Sequence, residues 1–168
     1  LDYPKYYTLS ERLIYTFIKY SAKKADHIIT ISNSEKNRIS RHLKLSDNKI
    51  SFVYHGIDES FKPISNSEIK LVKAKFNLPD KYLLYVGRIN VRKNIEVLLK
   101  AQSMLENRIK IVLIGSSQND NGLTSNINSN FKDNVIIMGH LTQSDLSSVL
   151  AASSLLVFPS FAEGFGLP

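Results

Sequence analysis

The stretch KYLLYVGRINVRKN, residues 81–94, decides the fold. Tyr82 to Val86 are apolar at every position, not at every second one, which predicts a strand buried on both faces. Gly87 closes the run, Arg88 follows it, and Arg92 and Lys93 stand just before a new periodicity. In KNIEVLLKAQSML (93–105) the residues Ile95, Leu98, Leu99 and Met104 recur at helical spacing. The same alternation continues downstream. IKIVLIGSS (109–117) and NVIIMGHL (134–141) are apolar strands that again end in glycine, TQSDLSSVLAAS (142–153) is a helix with Thr142 and Asp145 in capping positions, and SLLVFPS (154–160) is a fourth strand. The polar stretch from Ser116 to Asp133 should include another helix. Buried strands separated by helices predict an α/β fold, a Rossmann-like parallel sheet with helices on both faces. Ligands of such sheets bind at the carboxyl ends of the strands. Gly87, Gly115, Gly139 and the SFAEGFG loop (160–166) are expected at that edge.

Upstream, the chain reads as helix, strand, helix, strand. Thr8 and Glu11 have capping-box spacing before a stretch with Leu13, Ile14, Phe17 and Ile18 on one face. ADHIITIS (25–32) predicts a buried strand. Ser32 and Glu35 open a second helix, and KISFVYHGID (49–58) predicts a strand and turn. DESFKPISNS (58–67) breaks this organisation and predicts a linker, after which Ser65 and Glu68 open a third helix. The expected division is residues 1–62, part of one Rossmann-like domain plus linker, and residues 63–168, the first part of a second.

Composition excludes several classes. Hydrophobic residues at 43% and charged residues at 22% suit a globular chain. There is no cysteine, hence no disulfide framework and no thiolate metal site. No apolar run reaches the roughly 20 residues of a membrane-spanning helix. The net charge of +7 suggests anionic partners, but the lysines are scattered and no nucleic-acid motif is present, so nucleic acid is not an expected partner. The first residue is Leu1, and the chain is expected to be a piece of a longer protein.

Two constellations carry chemistry. Arg88, Arg92 and Lys93 meet between a strand end and a helix start, a setting that favours an anion such as phosphate; the alternative is a solvated loop. In FAEGFGLP (161–168), Gly164 and Gly166 let the backbone approach a ligand, and Glu163 can accept hydrogen bonds from sugar hydroxyls; the alternative is a turn that needs glycine. G-x-G-x-x-G and the Walker A pattern are both missing, which speaks against a dinucleotide or P-loop site. No D-x-D pair offers a seat for a divalent metal. His55 and His140 are isolated in the sequence and read as structural.

Taken in order, VGRINVRKNIEVLLKA, IVLIGS, VIIMGHL and LLVFPSFAEGFGLP resemble the nucleotide-sugar-binding domain of glycosyltransferase family 4, the group 1 glycosyltransferases. ADHIITISNSEKNRI and VYHGIDESFKP resemble the end of that family's first domain and its linker. The resemblance spans nearly the whole chain and implies a GT-B fold. It implies a retaining, metal-independent transfer of a sugar from a nucleotide-diphosphate sugar to a glycan or lipid-linked acceptor, in cell-surface polysaccharide synthesis, with no cofactor. Arg88 and Lys93 match the pair that neutralises the departing diphosphate. Glu163 matches the first of two glutamates eight positions apart and by that match contacts the transferred sugar. Gly164, Phe165 and Gly166 match the segment whose N–H groups meet sugar and phosphate oxygens. Gly139, His140 and Leu141 match the loop beside the base, and Gly87 joins the donor-binding set beside Arg88.

The departures are equally specific. The second glutamate would fall beyond Pro168, and His55 stands where the family usually has Asn. This piece alone is expected to be inactive. A cytoplasmic location, with peripheral contact at the inner membrane face, is compatible with the positive charge. The competing reading is a non-catalytic Rossmann module that binds a nucleotide or phosphate through Arg88, Arg92 and Lys93.

Overall fold

A computed structural model describes residues 8–106, 109–116 and 122–167. The chain divides into two compact units, residues 8–56 together with Glu163–Leu167, and Ile57–Ala162.

In the first unit, α1 (Leu9–Lys24) opens on a complete capping box. The Thr8 hydroxyl accepts from the Glu11 N–H, and the Glu11 carboxylate accepts from the Thr8 N–H at 2.7 Å. Strand β1 (Ile28–Thr30) runs parallel to β2 (Ile50–Phe52), with Ile28 opposite Ile50 and Thr30 opposite Phe52. Helix α2 (Asn33–Leu43) starts at Ser32, whose hydroxyl accepts from the Glu35 N–H at 3.1 Å, and it packs against both strands. It ends at Lys44 in the left-handed conformation.

The sequence predicted a buried strand here, and the structure corrects that reading. Thr30 and Ile50 are buried, but Ile29, on the opposite face of the pair, is 71% exposed. The physical reason is cover. Within this unit α2 covers one face of a two-stranded sheet, so only alternate residues lose water. Helix α1 buries no residue, and its predicted apolar face, Leu13, Ile14, Phe17 and Ile18, is exposed.

The second unit holds a parallel sheet of four strands in the order β5-β4-β3-β6. They are β3 (Tyr82–Val86), β4 (Lys110–Ile114), β5 (Val135–Met138) and β6 (Leu155–Leu156). The helices are α3 (Asn66–Lys75), α4 (Ile95–Ser103), α5 (Leu123–Asn130) and α6 (Gln143–Ala151). Alternation along the strands splits the core into two layers. Tyr85, Ile111 and Leu113 pack with Ile95, Leu98 and Leu99 of α4 and with Leu123 and Ile127 of α5. Tyr82, Leu84, Val86, Val112 and Ile114 pack with Val149 of α6, with Leu78, and with Val72 and Phe76 at the end of α3. This is the double cover that continuously apolar strands require.

Boundaries differ from expectation in three places. Met104 lies past the end of α4 and is exposed. The fourth strand pairs over Leu155 and Leu156 alone; the Val157 N–H still donates to the Leu84 carbonyl at 2.8 Å, and the chain then departs toward Pro159. The predicted helix in the polar stretch is α5, whose preceding residues 117–121 lie outside the described residues. Among the described residues no helix is long and apolar enough to cross a membrane.

Candidate functional site

The strand order determines where a ligand can enter. From β3 the chain moves outward to β4 and β5, then returns to the other side of β3 as β6. The direction of winding therefore reverses between β3 and β6, the kind of switch point at which open α/β sheets bind ligands. The loops leaving their carboxyl ends are residues 87–94 and 157–162. All four strands are parallel, so Gly87, Gly115 and Gly139 lie at the same edge, as expected.

Two of these glycines are required by space. Gly115 has φ +142°, and a Cβ there would stand 2.0 Å from the Gly87 carbonyl oxygen. Gly87 has φ +143°, and a Cβ there would meet the Tyr85 hydroxyl at 2.9 Å. A side chain at Gly115 would push the two strand ends apart, and one at Gly87 would displace the Tyr85 hydroxyl. The ladder also continues across them. The Gly87 N–H donates to the Ile114 carbonyl at 2.9 Å and the Ile89 N–H to the Ser116 carbonyl at 2.9 Å.

The loop after β3 is built to hold its cations. Asn90 accepts the Lys93 N–H through its side-chain oxygen at 3.2 Å and closes a single 3-10 turn, Val91–Lys93. Asn94 then takes the left-handed conformation, φ 54°, and α4 begins. Arg88 and Arg92 are exposed, and Lys93 is half-buried. The Lys93 ammonium lies 5.5 Å from the centroid of the Phe158 ring, a cation–π contact with the loop after β6. The Asn94 side-chain amide donates to the Pro159 carbonyl at 3.2 Å, and the Phe161 N–H donates to the Arg92 carbonyl at 3.3 Å. The loops after β3 and β6 are thus tied to each other at three points. Asn90 and Asn94 were missed in the sequence, where they look like ordinary loop polars; the RKN run ahead of the helix was the available signal.

Gly139 and His140 are exposed after β5, and Leu141 packs against the α3/α6 layer. Glu163, Gly164, Phe165 and Gly166 fall with the first unit. There the Ser32 hydroxyl donates to the Gly164 carbonyl at 2.7 Å. The Phe165 ring lies 5.8 Å from Tyr54 and meets His55 edge-on at 5.4 Å. His55, read from sequence as isolated, is exposed and has this ring contact with Phe165. The structure therefore brings Gly87, Arg88, Arg92 and Lys93 together in one unit and places the Glu163 segment in the other. Among the described residues no group of three or more His, Asp or Glu is arranged to hold a metal ion.

A family model described as Glycosyl transferases group 1 matches residues 66–168, and one described as Glycosyltransferase Family 4 matches residues 2–61. The chain belongs to the group 1 glycosyl transferases. It is 31% identical over 163 residues to the serotype-specific mannosyltransferase WbdA of Escherichia coli, covering 87% of this chain and 19% of that protein. Sucrose-phosphate synthase from Thermosynechococcus elongatus superposes with a TM-score of 0.73 at 26% identity, over 89% of this chain and 38% of that one. Anabaena HepE, solved in complex with UDP and glucose, superposes with a TM-score of 0.71 at 17% identity, over 83% of this chain and 39% of that one. The fold is that of GT-B glycosyltransferases. The chain spans less than half the length of each of these relatives.

Proposed function

We propose that the protein containing this chain moves a sugar from a nucleotide-diphosphate sugar to a glycan or lipid-linked acceptor during cell-surface polysaccharide synthesis. The observation that carries this reading is the seating of Arg88 and Lys93 at the β3/β6 switch point, on a loop fixed at both ends. In the reaction the bond from the sugar C1 to the diphosphate oxygen breaks, and its electron pair leaves with the phosphate. The acceptor hydroxyl oxygen bonds to C1, and its proton passes to the departing phosphate oxygen. Negative charge grows on the leaving diphosphate, and cations already in place stabilise it without reorganising. Arg88 and Lys93 take that role without a bound metal. Glu163 accepts from hydroxyls of the transferred sugar, the N–H groups of residues 164–166 meet sugar and phosphate oxygens, and Gly139, His140 and Leu141 border the base. Transfer proceeds with retention, and this chain alone is inactive. The net charge of +7 suits peripheral binding at the anionic cytoplasmic face of a membrane.

The test is calorimetric titration of the full-length protein with a panel of nucleotide-diphosphate sugars, followed by transfer assays. Arg88→Ala and Lys93→Ala should each lower kcat by about 100-fold or more, the usual loss when a transition-state charge partner is removed. Full-length protein that binds no member of the panel overturns the reading. Donor binding without transfer to any acceptor favours a nucleotide-binding module instead.

A further inference from the structure

The segment that carries Glu163 is held by a residue 132 positions earlier in the chain. Ser32 is 8% exposed, and its hydroxyl does two things at once. A lone pair accepts the Glu35 N–H at 3.1 Å and so starts α2. Its only proton goes to the Gly164 carbonyl at 2.7 Å. Gly164 also packs close to the β1–α2 turn: a Cβ there would lie 2.8 Å from Ile31 Cδ1 and 3.9 Å from Glu35 Cγ. One residue on, the Phe165 ring is seated against Tyr54 and His55.

Peptide planarity turns this bond into a directional device. The Gly164 carbonyl and the Phe165 N–H belong to one rigid trans unit and point in opposite directions. A hydroxyl that fixes the carbonyl therefore fixes the N–H as well, aiming it away from Ser32. Glu163 lies one peptide unit earlier, joined to this one through the Gly164 α-carbon.

We propose that Ser32 is a positioning residue for donor recognition. It locks the peptide between Gly164 and Phe165, so that the Phe165 N–H is presented to the oxygens of the sugar diphosphate in a preset orientation. This rests on the donor-binding role proposed above for Glu163 and residues 164–166. Ser32 itself touches no substrate; it acts through the Gly164 carbonyl.

The two roles of the hydroxyl can be separated in the full-length protein. Ser32→Ala removes both the helix cap and the donated proton. Ser32→Asp keeps a cap acceptor, a residue type favoured at that position, but has no proton to donate at neutral pH. Ser32→Thr keeps both and should rescue. The expected result is a donor KM raised about tenfold in Ser32→Asp and Ser32→Ala, the factor an ordinary hydrogen bond is worth. The acceptor KM and the helix content of Ser32→Asp should stay at wild-type values, and Ser32→Thr should restore the donor KM. Amide exchange at Phe165 and Gly166 should quicken in Ser32→Asp. A wild-type donor KM in Ser32→Asp, in a protein where Glu163→Gln abolishes transfer, overturns this inference and leaves the donor-binding reading intact. A wild-type protein that binds no nucleotide-diphosphate sugar overturns both.

Discussion

Helices α1 and α4 carry the same kind of message in sequence and meet different surroundings. Both have apolar residues at helical spacing. In α4, Ile95, Leu98 and Leu99 are buried in a layer shared with β3 and β4. In α1, Leu13, Ile14, Phe17 and Ile18 form an equally regular stripe, yet each is more than half exposed. An apolar groove lined by Ile14, Phe17, Ile18, Ala22 and Ile28 stays open in the first unit. Periodicity states which residues share a face; whether that face loses water depends on what the rest of the chain supplies.

The largest effect that tests this contrast comes from core truncation. Leu113→Ala, at a site with no exposure, should cost about 2–5 kcal/mol in urea denaturation. Phe17→Ala should stay within about 0.5 kcal/mol. If both truncations cost several kcal/mol, the contrast between the helices is wrong.

Tyr82 gives the next effect. It is fully buried, and its hydroxyl donates to the Val149 carbonyl at 2.6 Å. Burial pushes its pKa up to about 12. The sign follows from the neutral form being favoured in the native state. Its stabilisation is fully present below the ordinary tyrosine value near pH 10 and is lost as pH rises toward 12. Tyr82→Phe should cost about 1–2 kcal/mol at pH 7, because the Val149 carbonyl loses its partner. It should also flatten the loss of stability between pH 10 and 12, read from urea midpoints; equal slopes in both proteins would argue against it.

Helix starts provide a closer matched pair. The box of Ser65 and Glu68 opens α3, which contributes Val72 to a core layer; the box of Thr8 and Glu11 opens α1, which contributes nothing to one. Ser65→Ala should lower the stability of the second unit by about 1 kcal/mol. Thr8→Ala should speed amide exchange in the first turn of α1 and leave the transition of the second unit where it is.

The smallest effect is the Lys75–Asp145 ion pair, 2.6 Å across from α3 to α6. The hydrogen bond from Lys75 holds the Asp145 carboxyl below its ordinary value, and Thr142 adds to this. Its contribution is present above the ordinary aspartate value and disappears as pH falls through the lower native one. Asp145→Asn should make melting less dependent on pH in the acid range, with the difference from wild type shrinking in high salt.

Much of the fold was legible because it is locally coded. Thr8, Ser32, Ser65 and Thr142 all act as helix caps as the sequence suggested. Continuous apolar runs correctly implied double cover in the second unit, where helices flank both faces. The same inference failed at Ile29, because a run of β-branched residues does not reveal that a sheet has two strands and one covered face. Strand order was not legible either, since β3 pairs with β6 across some seventy residues and no local pattern encodes that neighbour. At the site, charge and glycine spacing pointed to Arg88 and Lys93. The groups that hold them, Asn90, Asn94 and Phe158, gave no separate signal, because their roles are bonds to partners that folding brings near.

Tyr85 joins these two levels. Its ring lies wholly inside the core and stacks near Phe158, 6.5 Å between centroids, while its hydroxyl donates to the Arg88 carbonyl at 2.9 Å. One side chain therefore touches the sheet interior, the loop after β3 and the loop after β6. A loop anchored in this way has no separate melting event available to it. The phosphate affinity proposed for Arg88 and Lys93 should then vanish at the denaturant concentration that unfolds the sheet, with no earlier step in which the cations come loose.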